Sequence, residues 1–238
     1  MTNRKLFKQA FRHKEANCTI VSDKEEAIKT AISSIKHQLN LLEEYVKKHP
    51  RFLFSLKPII TLEDAPEVAH LMAKAAKKAD VGPMAAVAGV IADLAVKVMI
   101  TSGCKVAVVE DGGEVSAVSN QPIDIAFAAG EEKLSKEMGF RLKQFPLGVA
   151  TSSGQFSHAF SFGDAEAVTI FAVDAGLADA AATAVANIIK GNDVDGVIKQ
   201  GIKNALAIEG VKGVFILYRG IVGKAGELPE LIKVNPKK

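Results

Sequence analysis

Two segments consist almost entirely of small residues: "VGPMAAVAGVIADLAVKVMI", Val81 to Ile100, and "GLADAAATAVAN", Gly176 to Asn187. Alanine favours a helix more than any other residue. An alanine helix has little side-chain surface to bury, however, and gains most where backbones come close together. Two such helices in one chain predict a core built on their mutual packing. The first is long enough to cross a bilayer, but Asp93 and Lys97 within it are costly there. A buried helix of a water-soluble protein is the expected reading.

The rest of the chain agrees with a globular domain. Of its 238 residues, 48% are apolar and 24% charged, and the net charge is only +3. No basic block marks a nucleic-acid surface, so neither nucleic acid nor membrane is an expected partner. The N-terminal "MTNRKLFKQAFRHKEANC" reads as a polar, basic arm without the apolar run of a signal peptide, and a cytoplasmic location is expected. Two cysteines, Cys18 and Cys104, make neither a disulfide framework nor a zinc site alone. Cys18 is expected to be exposed and Cys104 to be a buried strand residue.

Periodicity orders the remainder. Cys18 to Val21 reads as a strand. A long helix follows, capped by Ser22 or Asp23, striped by Ile28, Ile32, Ile35, Leu39, Leu42 and Val46, and ended by His49-Pro50. A second helix is expected from "TLEDAPEVAHLMAKAAKKAD", capped near Asp64 with Pro66 in its first turn. After the small-residue helix, "GCKVAVVEDGGEVSAV" reads as a hairpin and "PIDIAFAA" as a strand. "GEEKLSKEMGFRLKQFP" is expected to be a surface connection, and "LGVATSS" and "SHAFSF" paired strands. "AVTIFAV" leads into the second small-residue helix; "DVDGVIKQGIKNALAI", capped by its aspartates, is another helix. A final hairpin, "VKGVFILYRGIVGKAG", precedes a polar tail.

The chain also resembles itself. "GCKVAVVEDGGEV" sets beside "GVKGVFILYRGIV", and "AAVAGVIA" from Ala85 beside "AAATAVAN" from Ala180. Two related halves, about 18–130 and 147–225, would share one core within a single domain spanning 1–238. The fold class expected is α+β.

Polar residues interrupt this apolar frame at few places. Asp179 and Thr183 lie four apart, on one face of a helix. A carboxylate and a hydroxyl so placed suit a hard cation such as Mg²⁺; equally, the helix dipole could favour the aspartate and a carbonyl hold the threonine. "TSSGQFSH", Thr151 to His158, gathers hydroxyls, a glycine and an imidazole that could meet a phosphate or simply form a turn. "EDGGE" is a hairpin turn whose Gly112 and Gly113 also let a ligand approach the backbone.

Taken in order, the alanine-glycine helix, "DGG", "ATSSG…SH", "AVTIFA" and "ADAAATA" resemble the ApbE superfamily, the FAD:protein FMN transferases. The resemblance runs from about Val81 to Asn187. It is nearest to the short ApbE-like proteins of methanogenic archaea and anaerobic bacteria. It implies a T-fold-like architecture of two pseudo-repeated α/β halves with the small-residue helices in the core. By the same resemblance, Asp179 and Thr183 of Asp-Ala-Ala-Ala-Thr, with a backbone carbonyl near Ala86, would hold Mg²⁺. Gly112, Gly113, Ser152, Ser153 and Gly154 would line a site for FAD or a related nucleotide, and His158 would assist transfer. The chain departs from the transferases in reading "HAFSFGDAEA" where they carry Ile-Asp-Pro…Thr-Gly. It also has Ala88 where their Ala-Lys-Gly motif has lysine.

The function expected is therefore an ApbE-like protein that binds a flavin or nucleotide with Mg²⁺ in a cleft, with FMN-transferase-like activity if it is an enzyme. A homo-oligomer is expected. Two alternatives remain: a sulfur-handling protein of anaerobic amino-acid metabolism using Cys18 or Cys104, and a non-catalytic homo-oligomeric binding module.

Overall fold

β-branched residues alternating with small or polar ones build most of the strands, and the strands build one large sheet. A computed structural model describes residues 5–126, 138–153 and 163–233. Strands β1 (Phe7–His13) and β2 (Ala16–Ser22) lead into four helices: α1 (Glu25–Lys48), α2 (Pro50–Phe54), α3 (Glu67–Ala79) and α4 (Val87–Thr101). A 3-10 turn, Pro83–Ala86, introduces α4. Strands β3 (Val106–Asp111), β4 (Glu114–Ser119), β5 (Ile123–Ala126), β6 (Met138–Leu142), β7 (Leu147–Ser152) and β8 (Ala167–Ala172) follow. Then come α5 (Ala175–Ala186), α6 (Val194–Ala207), β9 (Val211–Tyr218), β10 (Ile221–Gly226) and β11 (Glu230–Lys233).

The large sheet runs β1-β2-β3-β4-β7-β8-β9-β10, and β11-β6-β5 form a second sheet. Every pairing is antiparallel. The strand order divides into fours, each two strands, then helices, then two strands. This is the mixed fold of two repeated halves that the sequence predicts. The halves join along β4–β7, where only Val115↔Val149, Ser116↔Gly148 and Ala117↔Leu147 pair.

The two faces of the large sheet carry different cores. One is covered by helices and buries Ile20, Met72, Ile91 and Met99 around α4, and Ile170, Leu177, Val185 and Ile216 around α5. The other meets the small sheet through Val108, Phe140, Phe171 and Phe215, with Phe140 set edge-on to Phe171 at 5.0 Å between ring centroids. The stretch Pro83–Thr101 is long and apolar enough to cross a membrane, but half of it is buried within the protein. Its apolarity is explained by the core it fills.

Several local readings change. The N-terminal arm contains β1, paired along its whole length with β2. "MGFRL", expected in a surface connection, is β6, because Phe140 fills the space between the sheets. Part of the expected C-terminal tail is β11, paired with β6. Helix α1 begins after Lys24, since Asp23 turns away to accept hydrogen bonds from the N–H groups of Lys105 and Val106. Helix α3 begins after Pro66. The strand expected at "SHAFSF" lies outside the described residues. Asp193 caps α6 as expected, accepting from the Gly196 N–H at 3.0 Å.

Candidate functional site

The small-residue helices meet at their first turns. A Cβ added to Gly89 would lie 2.2 Å from the Ala175 carbonyl oxygen, and one added to Gly176 would lie 2.5 Å from Val90 Cγ2. Two helix N-termini therefore converge, each bringing unpaired N–H groups and the positive end of its dipole. Each helix supplies the carboxylate that the other needs. Asp179 of α5 accepts from the Gly89 N–H at 3.1 Å and also from that of Ala88. Asp93 of α4 accepts from the N–H groups of Ala175 (3.0 Å) and Gly176 (2.9 Å) and from Ser116 Oγ (2.6 Å). Asp174 caps its own helix through the Leu177 N–H at 2.7 Å.

A hairpin brings more carboxyls to Asp179. Asp111-Gly112-Gly113-Glu114 is a two-residue turn with φ of +69° and +121° at its glycines, a left-handed region that other residues rarely enter. Asp111 faces the helices. It accepts from the Asn17 N–H at 2.8 Å and from the Cys18 thiol. Glu110 faces the other way and accepts from the Gly113 N–H at 3.1 Å. Burial pushes the Asp179 carboxyl up to about 7, reinforced by the charges of Asp111 and Asp93 and opposed by the Gly89 N–H. Glu114 is driven well above the usual carboxylate range by burial and then by the charge of Asp179. Asp111 is raised by burial as well. Carboxyls that hinder one another's ionisation create a field that suits a cation.

The donor set agrees with that chemistry in part. Among the described residues, no three His, Cys, Asp or Glu side chains stand together as a metal-binding group. A cation at Asp179 would need the hydroxyl of Thr183, one turn along α5, a backbone carbonyl and ligand oxygens. Thr183 is half-buried, and Ala86 is buried at the junction of the 3-10 turn with α4. Ser152 and Ser153 are buried at the end of β7. Gly154 and His158 lie outside the described residues.

A cavity of about 340 Å³ opens between the sheets beside this turn, lined in part by Glu110, Gly113, Phe140, Thr151 and Thr169. The two threonine hydroxyls are 2.9 Å apart. Sequence reasoning passed over Asp93, Asp111, Glu114 and Thr169 as site residues. For Asp93 the signal was present: a lone carboxylate in an apolar helix must find buried donors. For Thr169 it was one hydroxyl in an otherwise apolar strand.

Asp93 gives a pH prediction. Burial raises its pKa to about 6, against the opposing hydrogen bonds of Ser116, Gly176 and Ala175. Between about pH 4, where the unfolded carboxyl titrates, and pH 6, the folded state holds the extra proton. Stability contributed by this group therefore falls as pH rises through that interval and levels above it. Asp93→Asn is expected to remove up to about 1.4 kcal/mol per pH unit of slope there, read from urea melts at several pH values. An unchanged slope would contradict the assignment.

The cysteines do not form a pair. Cys18 is buried, contrary to the exposed position expected, because β1 and β3 flank its strand on both sides. Its thiol is pushed up by burial and by the charge of Asp111, to which it donates. Cys104, buried as expected, donates to the Met99 carbonyl at 3.1 Å and accepts from Ser22. Ser22 and Cys18 stand at opposite ends of the inner stretch of β2, about 13 Å apart at strand rise. Both thiols are protonated and shielded. A disulfide reagent such as DTNB is expected to label each at least 100-fold more slowly in the folded than in the urea-unfolded protein, and rapid native labelling would refute this.

The family model described as "AbpE bacteria" matches residues 2–207. A UPF0280 protein of Methanococcus maripaludis (strain C7) is 38% identical, covering 98% of this chain and 96% of its own. A UPF0280 protein of Methanocaldococcus jannaschii is also 38% identical, covering 97% and 95%. The apo structure of the Pseudomonas stutzeri flavinyl transferase ApbE superposes with a TM-score of 0.60, at 15% identity and 95% and 96% coverage. An ApbE protein from Thermotoga maritima gives 0.63, at 15% identity and 93% and 97% coverage. At that identity the likeness to the solved structures is one of fold.

Proposed function

The chain belongs to the ApbE-like family, and on that premise we propose that it binds a flavin or nucleotide together with Mg²⁺ at the Gly112–Gly113 turn. The observation that carries the reading is the half-buried Asp179, held by the N-terminus of α4 in a field shared with Asp111 and Glu114. Thr183 and a carbonyl at Ala86 complete the protein's share of the cation site. The glycine turn admits a diphosphate to the backbone, Ser152 and Ser153 at the end of β7 supply hydroxyls, and the cavity at Thr151 and Thr169 takes the ring. Bound Mg²⁺ would offset charge on the diphosphate. If transfer follows, it is FMN-transferase-like, with His158 moving the proton. The missing Ile-Asp-Pro segment and lysine favour binding over efficient transfer. The sulfur-handling reading loses ground, because neither thiol is exposed or activated.

We place the protein in the cytoplasm as a homo-oligomer. The partly exposed Ile221 and Val222 on edge strand β10 offer a pairing surface. Calorimetric titration with FAD, with and without Mg²⁺, tests the central claim. Binding at least tenfold tighter with Mg²⁺ is expected; no binding in either condition would sink it.

A further inference from the structure

The exchange of aspartates between α4 and α5 creates a second polar centre, at Asp93, whose surroundings are opposite in character. Above it lies a cavity of about 670 Å³, roughly twice that beside Gly113. The cavity opens where β4 and β7 cease to pair, between α3, α4 and the start of α5. Asp93 and Ser116 are among its lining residues. Val90, Leu147 and Leu177 supply apolar walls, and Lys74, Lys78 and Lys97 also line it. Where Asp179 is ringed by acids, the cavity above Asp93 has three lysines in its lining.

Lys74 and Lys78 lie one turn apart on α3, so both side chains border the same opening. Lys97 comes from α4. Lys97 pairs with Glu67 at 2.7 Å and Lys78 with Glu209 at 3.7 Å, both in exposed pairs. Exposed pairs of this kind hold weakly and can exchange for a ligand anion. Lys74 makes no ion pair among the described residues. The N-terminus of α5 does not attract the anion, because Asp93 and Asp174 already take the N–H groups of Ala175, Gly176 and Leu177. Asp93 accepts three hydrogen bonds, whereas a carboxylate has about four acceptor positions. Ser116 and Ala175 use Oδ1 and Gly176 uses Oδ2, which leaves one acceptor position on Oδ2 for a donor.

From this arrangement we propose that the cavity binds a nucleoside phosphate, its phosphate at Lys74, Lys78 and Lys97 and an N–H of its base toward Asp93. The volume lies within the usual range for small-ligand sites, about 300–1,000 Å³. A flat apolar body between a charged end and a donor end matches the sequence of surfaces. The site shares no side chain with Asp179, Thr183 or the glycine turn, and only the charge of Asp93 reaches Asp179, so nucleotide binding here requires neither Mg²⁺ nor flavin.

The test is calorimetric titration of the full-length protein in EDTA with AMP, GMP, CMP and UMP, and separately with adenosine and inorganic phosphate. At least one nucleotide should bind tenfold or more tightly than either fragment. Lys74→Glu with Lys78→Glu should weaken that binding at least tenfold, with an unchanged thermal melt because both side chains are exposed. Asp179→Asn should leave it unaltered while abolishing Mg²⁺-dependent FAD binding, so the two sites fail separately. The proposal is overturned if no nucleotide binds at millimolar concentration, if phosphate alone binds as well, or if the Asp179 variant loses nucleotide while the lysine variant keeps it.

Discussion

Gly89→Ala is expected to lower the stability of the folded protein by about 3 kcal/mol, a drop in Tm of roughly 6–12 °C for a chain of this length. Helix propensity pulls the other way, since alanine gains about 1 kcal/mol over glycine in a helix. Packing decides the sign. The new methyl would stand 2.2 Å from the Ala175 carbonyl oxygen and 2.5 Å from its carbon. Both are backbone atoms and cannot rotate away. The helices must separate, which stretches the Gly89–Asp179 bond and the two bonds from Ala175 and Gly176 to Asp93. Burying polar groups without partners costs about 1–3 kcal/mol each, more when charged. Gly112→Ala is the control: its nearest neighbour would be Glu114 Oε2 at 3.5 Å, leaving mainly the strain of φ +69°. That variant should lose about 1 kcal/mol. Urea melts of both proteins make the comparison, and a Gly89→Ala variant as stable as wild type would mean that the helices do not touch.

The helix crossing was legible because small residues leave little else to do in a core than approach a neighbour. The strands Val106–Asp111, Glu114–Ser119, Leu147–Ser152 and Ala167–Ala172 were legible from their β-branched content and bounding turns. Strand β1 was not, because an edge strand with one covered face is rich in polar residues and reads as an arm. Strand β6 hid in a charged stretch, its burial depending on Phe140 meeting Phe171 from a distant part of the chain. The candidate site divides the same way. Asp179 and Thr183 stood out through helical spacing, and Gly112–Gly113 through turn chemistry. The company Asp179 keeps could not be read, because Asp111, Glu114 and Asp93 reach it only through sheet register and helix crossing. Cys18 was misjudged for that reason too: polar flanks suggested exposure, while two neighbouring strands enclose it.

That company alters what Asp179 substitutions should do. A solvated ligand carboxylate could be removed at little cost to the fold, but this one accepts hydrogen bonds from the N-terminus of α4. Asp179→Ala is therefore expected to lose about 2 kcal/mol, leaving Gly89 and Ala88 N–H groups without their acceptor. Asp179→Asn keeps an acceptor oxygen and removes the charge, so it separates the two roles. Its affinity for FAD in Mg²⁺ should fall at least tenfold, to the value wild type shows in EDTA. Its stability should move oppositely. Burial holds the wild-type carboxyl near pKa 7, so without a cation the folded state loses stability as pH rises from about 4 to about 7. At pH 8 in EDTA the asparagine variant should then be the more stable protein. Saturating Mg²⁺ should stabilise wild type by mass action and leave the variant unmoved. A cation that restores what ionisation of a buried carboxylate costs is the signature of a ligand, since a purely structural aspartate would give no Mg²⁺-dependent shift in either protein.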